Sequence, residues 1–189
     1  MAIDFASKLV ESEGGAQLTA RKVAKGIGYT VGTLYHIFEN FDDLVAHVNA
    51  ATLEEMGTLI EAAAKKKRKP ESRIHAMANA YVEYASDHPN RWRLVFERPI
   101  PTVAHNLAVV RHRRDAMFAM VADNLRELDT GRVPSEVTHT ATALWSGVHG
   151  ICILAVTGNL YLGGAYSMNK LINALVEPVI ANFSAQGSH

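Results

Sequence analysis

The stretch that most constrains this chain is 18–44, LTARKVAKGIGYTVGTLYHIFENFDDL. It holds two short segments of helical apolar periodicity with almost nothing between them. Thr19 is a good N-cap, and Val23, Ala24 and Ile27 give an apolar face to a helix from Ala20 to about Lys25. Gly26 and Gly28 break that helix, and Gly28 can take the positive φ of a tight turn. Thr30 is a second N-cap and opens a helix from Val31 to about Ile37. Leu34 and Phe38 stand one helical turn apart, so they face inward together. Thr30, Val31, Thr33, Tyr35 and His36 are left for the outside.

A helix, a turn of a few residues and a second helix at a steep angle make a helix-turn-helix. The second helix fits the DNA major groove and presents its N-terminal residues to base edges. The candidate DNA-binding residues are Thr19, Arg21, Tyr29, Thr30, Val31, Gly32, Thr33, Tyr35 and His36. Gly32 and Thr33 allow close approach to the DNA backbone, and Thr and Tyr hydroxyls suit phosphate oxygens. A plain helical hairpin in a bundle satisfies the same periodicity, but it leaves the outward Tyr-His pair beside a Gly-Thr pair as coincidence.

Charge argues the other way. The whole chain has a formal net charge of +0. Its first 50 residues hold Lys8, Arg21, Lys22 and Lys25 against Asp4, Glu11, Glu13, Glu39, Asp42 and Asp43, a balance of −2. DNA affinity leans on phosphate neutralisation, so this is a weak basic footprint. Helix N-termini and hydroxyls can supply part of what cations do not.

The remaining pattern is all-α, with no strand signal. A first helix from about Ile3 to Glu13 carries Ile3, Phe5, Ala6, Leu9 and Val10 and ends at Gly14-Gly15, which completes a three-helix head. A long helix from about Phe41 towards Ala64 starts with acids where the macrodipole favours them. At roughly 35 Å it can connect the head to a second domain. The Lys65–Lys69 run reads better as a solvated helix end than as a phosphate patch. Further helices are expected from about Glu71 to Asp87, around Trp92–Phe96, from about Thr102 to Leu128, from a Ser135 cap to about Thr157, and from about Ser167 to Phe183 with a kink or shifted start at Pro178. The expected architecture is therefore about nine helices, a helix-turn-helix head over 1–46 and a helical ligand-binding and dimerisation domain over 47–189.

The run Gly28-Tyr29-Thr30-Val31-Gly32-Thr33-Leu34-Tyr35-His36-Ile37-Phe38, followed by Asp42-Asp43-Leu44, resembles the signature of TetR-family transcriptional regulators. The resemblance covers roughly residues 3 to 48 without a gap. Two departures stand out: a basic arm before the first helix is almost lacking, and Phe41 stands where the family usually has a phosphate-touching Lys. Segments 81–96 and 143–154 resemble a C-terminal domain found in a subset of these regulators, marked by Trp145, His149 and Gly150, the Trp-His-Gly type. The resemblance implies a homodimer through the last two long helices, a pocket for a small molecule in the domain core, and a palindromic double-stranded DNA operator. The residues support the dimer independently. The first of these helices has Leu144, Val148, Ile151, Cys152, Ala155 and Val156, with Gly147 and Gly150 permitting close approach, and the two together carry more apolar surface than their domain needs to cover internally. Val176 and Ile180 are taken as outward positions on the other.

Residue chemistry points away from catalysis. His105, His112, His139 and His149 lack metal-ligand spacing, and one cysteine, Cys152, excludes an internal disulfide or a CxxC zinc site. His149 and Cys152 lie three residues apart but lack an orienting acid and an oxyanion device. His149 is foremost a hydrogen-bonded core residue, with a pocket polar group as the alternative. No catalytic residue, metal or cofactor is expected. The candidate pocket residues are Ala78, Tyr81, Trp92, Phe96, His105, Met117, Met120, Trp145 and His149, although large apolar side chains are first of all core. No apolar run long enough to span a bilayer is read, and the opening MAIDFASKLVESEG is unlike a signal peptide, so a cytoplasmic protein without a membrane partner is expected. Two functions follow: a dimeric DNA-binding regulator, a repressor released by a small apolar effector; or a helical ligand-binding or interaction protein whose head has weakened DNA binding.

Overall fold

The computed structural model describes residues 1–97, 107–160 and 167–185. Among them the chain is all-α, with nine α-helices and no strand: α1 Ala2–Glu13, α2 Ala20–Gly26, α3 Val31–Tyr35, α4 Phe41–Lys65, α5 Pro70–Asp87, α6 Pro89–Glu97, α7 Leu107–Leu128, α8 Pro134–Val156 and α9 Met168–Ala185. A 3-10 turn, Gly15–Gln17, follows α1. The helices form two compact units, one of residues 1–56 with 88–115, the other of 57–87 with 116–189. The α4 and α7 helices contribute to both.

In the first unit, α1, α2, α3 and the start of α4 close over Ala6, Leu9, Val10, Leu18, Val23, Ala24, Leu34, Phe38, Leu44, Val45 and Val48. The two caps are as expected: Thr19 Oγ1 accepts from the Lys22 amide at 3.2 Å, and Thr30 Oγ1 from the Thr33 amide at 3.1 Å. Between them, Gly28 at φ +78° lets its own amide and that of Tyr29 donate back to the Lys25 and Ala24 carbonyls. That is a Schellman stop, and Thr30 opens α3 two residues later. Gly26, expected to break α2 with Gly28, does not. It is the last residue of α2, and the Phe5 ring occupies the place where its Cβ would be.

The α6 helix packs in this unit, against α1, although it lies in the segment assigned by sequence to the second domain. Asn90 Nδ2 donates to the Glu11 carbonyl at 3.0 Å, and Asn49 Nδ2 donates to the Leu94 carbonyl at 3.3 Å. Leu94 joins the head core and crowds Gly15, where a Cβ would lie 2.8 Å from Leu94 Cδ1.

The second unit is built from the end of α4, α5, the second half of α7, α8 and α9. Gly147 lets α8 and α9 approach closely, since a Cβ there would meet Leu175 at 2.6 Å. Arg132 fastens the loop before α8. It pairs with Asp129 at 3.1 Å, donates to the Phe183 carbonyl at 2.6 Å and lies over the Phe183 ring.

Several boundaries differ from those read in the sequence. The α3 helix ends at Tyr35, not about Ile37. Ser135 does not cap α8; the helix starts at Pro134, whose fixed φ suits the first helical position, and Val133 precedes it without a side-chain cap. Ser167 instead caps α9, accepting from the Lys170 amide at 3.3 Å. The expected start of α7 at Thr102 lies outside the described residues. By length and composition α8 is apolar enough to cross a bilayer, contrary to the sequence reading, and only 22% of its most apolar window is buried.

Candidate DNA-reading head and ligand cavity

Short α3 can present only a few side chains, and its flanks do much of the exposing. Tyr29 is 50% and Tyr35 42% exposed, and Arg21, Thr30, Gly32 and His36 are exposed with them. Thr19 is exposed too, its oxygen engaged as the α2 cap. Thr30 and Thr33 hydroxyls lie 3.0 Å apart, so the cap is linked to the next turn. Gly32 has only the Thr30 hydroxyl near the place of a Cβ, at 3.6 Å. Val31 departs from the expected outward set: its half-buried side chain packs against the head core. Ile37, missed in the sequence, is 64% exposed. Lys22, one of the four head cations, is bound to Glu13 at 2.8 Å and Gln17 at 2.9 Å, while Lys8, Arg21 and Lys25 are exposed.

The second unit contains an apolar cavity with about 60 Å³ open to the centre of a water-sized sphere. One water needs roughly 10–15 Å³ on that measure, so several would fit. The lining comes from one face of each helix: Ile74, Met77, Ala78 and Tyr81 on α5; Met117, Phe118 and Val121 on α7; Leu144, Trp145 and Val148 on α8; Ile60 and Val176 beside them. These are helical spacings, so the α5 partners Ile74 and Met77 were legible from Ala78 and Tyr81.

Four of the nine sequence candidates, Ala78, Tyr81, Met117 and Trp145, meet at this cavity. His149 stands behind it. Its Nδ1 lies 2.7 Å from the Tyr81 hydroxyl, and its ring stacks on Trp145 with centroids 4.7 Å apart. Burial lowers the His149 pKa from its ordinary value near 6.5, so the imidazole is neutral at pH 7. Trp92 and Phe96 do not line the cavity. They belong to the first unit, where Trp92 is fully buried with the Phe96 ring 5.0 Å away. Met120, three residues on from Met117, lines instead an adjoining charged cleft with Lys65, Arg73, Asp123 and Glu127, which shares Met77 with the cavity. His105 lies outside the described residues. Cys152 is buried, and burial pushes its thiol up to about 12, so it is protonated at neutral pH. No cluster of three metal-ligating side chains occurs among the described residues.

The comparison that decides the family covers 106 residues: positions 74–179 match the Tetracyclin repressor-like, C-terminal domain. The chain belongs to the TetR family. The matched TetR segment spans α5 to α9 and includes Trp145, His149 and Gly150. An uncharacterized HTH-type transcriptional regulator of Mycobacterium tuberculosis is 22% identical over 157 residues, 82% of this chain and 69% of that one. Among solved structures, FadR of Bacillus subtilis in complex with stearoyl-CoA superposes with a TM-score of 0.74 at 15% identity, covering 100% of this chain and 98% of that one. BioQ, solved with its double-stranded DNA operator, gives 0.67 at 18% identity over 97% and 96% of the two chains. At these identities the structures establish a shared fold.

Proposed function

We propose that this TetR-family protein is a dimeric, cytoplasmic transcriptional repressor. Its α3 reads a palindromic operator, and a small apolar effector in the α5–α7–α8 cavity releases it. The observation that carries this reading is the division of labour: Thr30, Tyr29 and Tyr35 are exposed around a capped short helix in one unit, and an apolar cavity lies in the other. The operator complex of BioQ and the stearoyl-CoA complex of FadR support the two kinds of partner. Catalysis has no part in this reading: the Cys152 thiol is protonated and the neutral His149 is held by Tyr81 and Trp145.

In this reading the dimer forms through α8 and α9. Support comes from α8, where Ile153 is 36% and Leu154 43% exposed, and where Gly150 has open space around it. An apolar helix this exposed needs a partner surface. Its exposed Thr138, His139, Thr142 and Ser146 suit a protein interface better than lipid.

The second reading, a binding protein with weakened DNA affinity, rests on the −2 balance of residues 1–50 and on Phe41. A gel shift with DNA flanking the protein's own coding region separates the two. A discrete complex, competed by the same DNA and not by random DNA, is expected. Binding no tighter than to random DNA would favour the second reading.

A further inference from the structure

The cavity has no charge of either sign among its described lining residues. All twelve are uncharged, and the polar side-chain atoms they offer are the Tyr81 hydroxyl and the Trp145 indole N–H. The neighbouring His149 does not change this. It lies against an aromatic ring and a phenol, and its lowered pKa keeps it neutral at pH 7. The charged groups nearby in the chain are not among the cavity lining: Glu61, Lys65, Lys67, Arg73, Asp123 and Glu127 line the adjoining cleft, on the other side of Met77. Within that cleft, Arg73 is paired with Glu127 and Lys65 with Glu61.

An ion moved from water into such a site loses hydration and finds no counter-charge. A carboxylate meets one hydroxyl where it needs a cation or several amides. An ammonium meets at best the rings of Trp145 and Phe118, which pack 5.2 Å apart, and any attraction to them offsets only part of the lost hydration. An uncharged molecule loses little and gains all the apolar contact. We propose that the effector is an uncharged, largely hydrocarbon molecule with at most one hydroxyl or carbonyl group, and that acids and amines of the same skeleton are excluded. This rests on the cavity being the effector site.

The test compares three probes of one chain length, 1-octanol, octanoate and octylammonium, by calorimetry with the full-length protein at pH 7.5. Octanol is expected to bind about tenfold or more tighter than either ion, and to be displaced from Ala78→Leu, whose larger side chain enters the cavity. A Met117→Lys variant supplies the missing cation on a half-buried position of similar shape. It should shift the octanoate-to-octanol preference by about tenfold towards octanoate, a reversal that loss of stability alone cannot produce. Octanoate or octylammonium equalling octanol at the Ala78-sensitive site would overturn the inference and leave the effector site standing. Binding of none of the three would remove the cavity as an effector site and the inference with it.

Discussion

At the scale of single residues, three sharp demands arise, two in the head and one in the second unit. Tyr35 is exposed on the last turn of α3, so Tyr35→Ala should leave the fold intact and cost about 1–3 kcal/mol of specific operator binding. Operator affinity equal to the parent's would take the reading role away from α3. Gly26 has the Phe5 ring where a side chain would go, so Gly26→Ala should overpack the head by about 1–3 kcal/mol and lower its melting temperature; an unchanged melt would mean that Phe5 can move aside. His149 makes a pH prediction. Its pKa is lower folded than unfolded, so the unfolded chain takes up the proton first as pH falls. The stability it contributes is complete above about 6.5, its ordinary value, and declines as pH drops below that. In denaturant melts, His149→Phe should flatten the fall in stability between neutral pH and about 5.5, given a His reference pKa of about 6.5; an identical slope in both proteins would refute the assignment. The caps at Thr19 and Thr30 and the φ of Gly28 were legible because they depend on neighbours three residues away. The Gly26–Phe5 contact was not, because it is set by packing between helices and leaves no periodic trace.

At the scale of elements, periodicity located the helices, and the errors fell at ends and outward faces. Val176 and Ile180, outward residues of α9 by the sequence pattern, are 0% and 5% exposed within the single chain, and Val176 lines the cavity. A nearly all-apolar helix does not reveal which of its stripes faces its own domain and which a partner. The exposed side of α8 is the better candidate for the proposed dimer contact. Leu154→Glu, or Ile153→Glu, should therefore give monomer by sedimentation while retaining helical content. An unchanged dimer in both variants would place the contact elsewhere. The departure at Phe41 belongs to this scale as well, because it opens α4 beside Asp42 and Asp43. Phe41→Lys should strengthen operator binding and steepen its salt dependence by about one phosphate contact. A slope that stays the same would show that the start of α4 does not touch the DNA backbone.

At the scale of the whole molecule, function requires that the cavity and the head share an equilibrium. A dimer reads two half-sites only when its reading helices are about 34–36 Å apart or a multiple of that. The effector can release DNA only if it binds a state with different spacing better than the DNA-competent one; equal affinity for both shifts nothing. The chain offers two covalent routes for such coupling. The α4 helix runs unbroken through Met56 and Gly57, the boundary of the two units, and carries Ile60 of the cavity. The α5 helix, which supplies four lining residues, ends at Asp87, and α6, docked on α1, begins at Pro89. Lining residues on both α4 and α5 put an effector in this cavity in contact with both routes. A coupling of about 1–3 kcal/mol would weaken operator binding roughly 5- to 150-fold. Ala78→Trp should imitate the effector by filling the cavity from α5: its operator affinity should fall into that range, and added ligand should change it no further. If Ala78→Trp binds operator like the parent and the parent's affinity responds to no uncharged apolar compound, the cavity is only packing space and the repressor is constitutive.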